Sequence, residues 1–125
     1  MSIPSVPPNS HPYQNQPIWS KSEKAIARKI FYDALNRELQ NIIEKARQKA
    51  SQITDPADLW ELEAYLTACR KELDCKYDYR YSELMPVLGR LLGEQRITEE
   101  ELHGLQGDKV NAIRSCAKLH ARDAA

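Results

Sequence analysis

With 125 residues and 42% hydrophobic side chains, the chain is sized for one domain around one core. Its 18 Lys and Arg balance 18 Asp and Glu, which leaves no basic footprint for nucleic acid. No apolar run approaches the roughly 18 residues that span a bilayer, and the N-terminus lacks the charged start and apolar block of a secretory signal, so the expected location is cytoplasmic.

Residues 1–18 hold five of the seven prolines, with Ser, Asn and Gln between them. That composition buries no core and reads as a disordered arm, leaving residues 19–125 as a single helical domain. Ser20 followed by Glu23 is a capping box. Behind it Ile26, Ile30, Ala34, Leu35, Leu39, Ile42, Ile43, Ala46 and Ala50 recur at helical spacing, which predicts a helix over about 21–52. Asp55 as N-cap and Pro56 as first helical residue open a second helix. Leu59, Leu62, Leu66, Cys69, Leu73, Tyr77, Tyr81, Leu84, Leu88 and Leu91 then step by three and four, the seam of a helix packed on other helices. Pro86 interrupts it, which predicts a long helix over about 56–82, a bend between Ser82 and Pro86, and a shorter helix through Leu92. Thr98 with Glu101, stapled by Ile97 on Leu102, opens a last helix at Glu99, so a head occupies about 83–120.

No stretch alternates long enough to be a strand, so the fold class is all-α: two long antiparallel helices plus a small C-terminal helical head. Helices of this length measure roughly 45 Å, against a radius of gyration near 14 Å for a compact domain of this size. The first is apolar over a wider arc than one partner covers. A homodimer through the long helices is therefore expected, with Leu39, Ile43, Ile53, Leu59 and Leu62 as its interface residues.

Catalytic and metal patterns are thin. Glu100 and His103 form one E-x-x-H, and a bundle di-metal site needs two of these with two further glutamates. Cys69, Cys75 and Cys116 lack paired short spacings and read as reduced structural thiols. Tyr77 and Tyr81 fall on the seam and read as core rather than as a stacking platform for bases. No catalytic residue, cofactor or metal site is expected, and the chain does not read as an enzyme. Trp60 lies roughly 130° around its helix from the seam, on an arc with Glu63, Thr67 and Arg70. It reads either as packing against a neighbouring helix or as a protein-binding hot spot.

Several segments in fixed order decide between these readings: W-S-x-x-E at Trp19 to Glu23, R-E-L at Arg37 to Leu39, A-S-Q-I-T at Ala50 to Thr54, D-L-W at Asp58 to Trp60, and R-K-E-L-D-x-K-Y-D-Y-R-Y-S at Arg70 to Ser82. From about Trp19 to Ala117 the chain resembles the fluorescence recovery protein family of cyanobacteria. The resemblance implies an all-helical dimer without a cofactor that binds the C-terminal domain of the photoactivated, red orange carotenoid protein. Such a protein speeds the return to the orange form and the release from the phycobilisome, ending photoprotective quenching in the cytoplasm, at the phycobilisome and thylakoid surface. The family's working face is a Trp, an acid four positions on and an Arg ten positions on. Trp60 and Arg70 match, whereas the acidic position is Ala64, with Glu63 beside it; the implied partner-binding set is Trp60, Glu63, Ala64, Thr67 and Arg70. A diverged adaptor of the same fold with a different protein partner is the alternative reading, and Ala64 favours it.

Overall fold

A computed structural model describes residues 18–124. Residues 1–17 lie outside the described residues, and with them nearly all of the expected arm; Ile18 is exposed. Four α-helices make up the fold: α1 (Lys21–Ser51), α2 (Pro56–Lys76), α3 (Leu84–Gly93) and α4 (Gly107–Ala124), with a 3₁₀ turn at Glu99–Leu102. The chain is all-α, in the expected order of two long helices and a short-helix head.

Local chemistry explains the starts. Ser20 Oγ accepts from the Glu23 amide while Glu23 Oε1 accepts from the Ser20 amide at 3.0 Å, closing the capping box of α1. Asp55 and Asp58 form a second reciprocal box around Pro56, which opens α2 where its missing N–H costs nothing.

The second helix ends earlier than its periodicity predicts, at Lys76 instead of about Ser82. Tyr77, Tyr79 and Tyr81 alternate with polar residues, and an extended backbone turns all three rings toward α1. Phe31 meets Tyr77 edge-on at 5.3 Å and Tyr79 at 4.9 Å, while Trp19 meets Tyr81 at 6.4 Å. A continued helix would send Tyr79 to the opposite side. The break therefore spans Tyr77 to Glu83, ahead of the expected bend, and Pro86 sits undistorted inside α3. It is the third helical residue, where an N–H would find no helical acceptor and its absence costs nothing, and the first α-helical bond runs from the Val87 amide to the Glu83 carbonyl at 3.0 Å.

The expected last helix is two pieces. Thr98 and Glu101 do form their box, but it caps only the 3₁₀ turn. Gly104 follows at φ 104°, a left-handed conformation that stops the helix, and a Cβ there would come 2.5 Å from Ile26 Cδ1. Helix α4 begins at Gly107 and runs to Ala124, beyond the expected end near 120. It packs closely on α3 because Gly89 and Gly93 present no Cβ: one built on Gly89 would meet Cys116 Cβ at 2.4 Å, and one on Gly93 the Ala117 carbonyl oxygen at 2.5 Å.

One core holds the head together, and α1 completes it. Trp19, Ala27, Ile30, Phe31 and Ala34 pack against Leu84, Val87, Leu88 and Leu91 of α3 and against Ile97, Leu102, Leu105 and Ile113. The head is thus built on the first half of α1 rather than standing apart from it. Two buried ion pairs pin this arrangement. Glu23, already capping α1, accepts from Lys109 Nζ at 3.0 Å and from the Gln106 amide at 2.9 Å, tying α4 to the start of α1. Burial would raise its carboxyl, but the Ser20 and Gln106 amides and Lys109 overcome that and hold it at about 2. Because the folded value lies below the ordinary 4.5, its stabilisation is complete above about pH 4.5 and drains away as pH falls toward 2. Acid titration followed by circular dichroism should show Glu23→Gln with lower stability at neutral pH and a shallower acid limb across that window. A limb as steep as the parent's would remove Glu23 from the account.

The rest of α1 and nearly all of α2 form an open stem. Beyond Glu38, α1 buries no side chain, and α2 buries only Lys76. The seam predicted from Leu59 to Leu73 is only partly covered: Leu62, Cys69 and Leu73 are half-buried, and Leu59 and Leu66 are exposed.

Candidate functional site: the open face of α2

The Asp55 cap and Pro56 place Trp60 in the second turn of α2, next to the stem tip. Trp60 is 63% exposed, the most open large aromatic among the described residues. Glu63, Ala64, Thr67 and Arg70 are exposed as well; Trp60, Glu63, Thr67 and Arg70 share an arc of about 80° by helical geometry, with Ala64 about 40° beyond Trp60. Neither Glu63 nor Arg70 has an ion-pair partner among the described residues, so carboxylate and guanidinium are both open to a second molecule. An indole flanked by an unengaged arginine is the composition of a protein-binding hot spot. Of the residues expected at a dimer interface, Leu39, Ile43 and Leu59 are exposed and Ile53 and Leu62 half-buried. These uncovered apolar side chains come from both stem helices.

At the other end, α2 is anchored by a polar cluster. Lys76 Nζ, only 1% exposed, lies 2.7 Å from Glu38 of α1 and 2.8 Å from Glu94 beyond α3. The Tyr77 hydroxyl donates to Glu38 at 2.8 Å, and burial, followed by that carboxylate, pushes the phenol well above its ordinary range. Burial would raise Glu94, but Lys76 and Arg90 hold its carboxyl below the usual value. Arg96 Nε, buried without a hydrogen bond, sits 3.6 Å from Glu38. The junction of stem and head is therefore a buried charge network, which no short sequence pattern announces: Glu38 and Lys76 are 38 residues apart. Arg37 adds an outer clamp, donating to both Glu101 carboxylate oxygens and to the Arg96 carbonyl.

Among the described residues no cluster of His, Cys, Asp and Glu could hold a metal ion, and Glu100 and His103 both face solvent. Cys69, Cys75 and Cys116 are free thiols, and burial raises Cys116 above its ordinary value. Among the described residues no helix is long and apolar enough to cross a membrane.

Fold and face define a class: small all-helical proteins in which a helical head carries a long two-helix stem with an exposed aromatic face. The family model described as "photoprotection regulator fluorescence recovery protein" matches residues 19–117, and the chain belongs to this fluorescence recovery protein family. It is 41% identical over 101 residues to the fluorescence recovery protein of Synechocystis sp. PCC 6803, covering 81% of this chain and 93% of that one. The solved structure of the Synechocystis protein superposes with a TM-score of 0.78 at 40% identity, over 81% of this chain and 99% of that one. The Fremyella diplosiphon protein superposes at 0.77 and 38% identity with the same coverages. The chain is a member of a family of photoprotection regulators, not of an enzyme family.

Proposed function

We propose that the chain acts as a cytoplasmic homodimer that binds the C-terminal domain of photoactivated, red orange carotenoid protein, speeds its return to the orange form and releases it from the phycobilisome. The observation that carries this reading is the open Trp60 to Arg70 face in a member of a photoprotection regulator family. A regulator of this kind works by differential affinity: it accelerates the return only by binding the route back to the compact form more tightly than the separated red form. Trp60 supplies buried apolar area, and the Arg70 fork grips a carboxylate or a pair of carbonyls. Glu63 supplies the acid that Ala64 does not, from about 100° around the helix. Leu39, Ile43, Ile53, Leu59 and Leu62 close the stem of one protomer on its partner.

Size-exclusion chromatography under continuous illumination should co-elute the parent protein with the red carotenoid protein. Arg70→Leu should weaken the complex about thirtyfold, a loss of about 2 kcal/mol, while its circular dichroism and dimer mass stay unchanged. A melted or monomeric Arg70→Leu would assign the arginine to the dimer instead. The second reading is a diverged adaptor of the same fold with another protein partner. It is favoured by Ala64, and Ala64→Asp strengthening the complex would count against it.

A further inference from the structure

Around the first half of α1 the outer surface carries basic residues that no ion pair among the described residues uses. Lys21, Lys24 and Arg28 follow at steps of three and four and share one side of the helix, and Tyr32 extends the row by a turn. All four are exposed. Glu23, the one acid in the first turn of α1, points inward and is engaged by Ser20, Gln106 and Lys109. Lys21 and Lys24 therefore stand at the positive end of the helix macrodipole, a placement that costs on the order of 0.3–1 kcal/mol each. Among the described residues, neither they nor Arg28 has an ion-pair partner. Nearby acids are committed elsewhere, Asp33 to Lys29 and Asp78 to Arg80. Residues 1–17 contain no Asp or Glu.

Two of the cations, Lys24 and Arg28, are also held in place. Lys24 Nζ stands 4.9 Å from the centre of the Tyr81 ring, and the Arg28 guanidinium 5.5 Å from that of Tyr79. Tyr79 packs on Tyr81 at 5.7 Å, and Tyr32 stacks on Tyr79 at 5.9 Å and 22°. The Tyr77 to Tyr81 segment is thus a wall against which Lys24 and Arg28 are lined up, which lowers the entropy lost when they engage a ligand. The geometry points to a docking surface for an acidic segment of a protein partner, its carboxylates accepting from Lys21, Lys24 and Arg28 and from the Tyr32 hydroxyl. From Lys21 to Tyr32 the row measures roughly 16 Å, the reach of about five extended residues. Three cations neutralise too few phosphates to hold a nucleic acid at physiological salt, and a net charge of zero gives no long-range pull toward one. The surface lies roughly 35 Å along α1 from the stem tip that carries Trp60, and it stands independently of the carotenoid protein reading.

The test is a fluorescence anisotropy titration of the full chain with a labelled ten-residue poly-L-glutamate peptide, at low and at physiological ionic strength. The parent should bind, more weakly as salt rises. Lys21→Glu/Lys24→Glu/Arg28→Glu should bind about tenfold more weakly or worse, and a control reversal in the stem half of α1, Lys45→Glu/Arg47→Glu/Lys49→Glu, should bind as the parent does. Acids at a helix start favour the helix, which offsets the ring contacts that Lys24 and Arg28 give up, so the reversed variant should keep the parent's circular dichroism. Tyr32→Ala should weaken binding with all three cations present. No binding by the parent, an equal loss in the control reversal, or tighter binding to a single-stranded ten-nucleotide DNA would overturn the proposal. A changed dimer mass in the reversed variant would overturn it as well, by assigning the face to the contact between copies.

Discussion

Lys76→Met should be the most damaging single substitution in the stem–head junction, lowering stability by about 3 kcal/mol. Lys76 Nζ is 1% exposed and is the cation shared by Glu38 and Glu94, whose carboxylates face it at 2.7 and 2.8 Å. Removing it leaves the Glu38 carboxylate, 9% exposed, with the Tyr77 hydroxyl and an Arg96 guanidinium 3.6 Å away. An uncompensated buried charge commonly costs 3–5 kcal/mol, and the remaining partners place this one at the lower end. Glu94 keeps Arg90 at 2.8 Å, so the defect centres on Glu38. Adding Glu38→Leu to Lys76→Met removes the stranded charge and should return part of the loss, because a well-packed apolar replacement of a buried pair is often close to neutral. Urea unfolding at unchanged slope gives the measurement. A Lys76→Met midpoint within error of the parent's would mean that water reaches the cluster and that the network does not hold the junction.

Leu59→Glu should convert the proposed dimer into monomers while leaving most of the helix content intact. In a single chain Leu59 is 47% exposed, Leu39 38% and Ile43 41%, all on stem helices that bury no apolar side chain beyond the head. Soluble monomers rarely leave such a row uncovered over two adjoining helices. A carboxylate placed in that contact must be desolvated without a partner, which weakens self-association by about a hundredfold or more. The head core is distant and complete, so circular dichroism should change little. Light scattering at micromolar concentration reads the outcome, and a persistent dimer mass would place Leu59 outside the interface.

What sequence reasoning reached, and what it missed, follows the range of the interactions involved. Ser20 with Glu23 and Thr98 with Glu101 bond within three residues, and Asp55 caps the helix that Pro56 opens, so their roles are readable from spacing alone. Trp60 off the seam was equally legible, since angle on a helix is arithmetic. The seam itself was overextended, because Tyr77 and Tyr81 satisfy a step of four as well as they satisfy alternation with Tyr79. Phe31 on α1 and Trp19 just ahead of it settle which period the backbone follows. The same alternation in Lys76 to Tyr81 was the available signal for the break. Lys76 with Glu38 and Lys109 with Glu23 are separated by 38 and 86 residues, and nothing in either neighbourhood marks those side chains as buried. At the open face the residues were readable but the binding specificity was not, because Ala64 and Glu63 alter the charge pattern without altering the helix.

The central claim is that this chain drives a red carotenoid protein back to its orange form, and its most direct measurement is spectroscopic. Photoactivated orange carotenoid protein is transferred to the dark and its absorbance followed with and without the parent protein at matched concentration. The account predicts faster relaxation with the parent, rising with dose, and a rate close to the spontaneous one with Arg70→Leu. A relaxation rate unchanged by the parent at any dose would contradict the account.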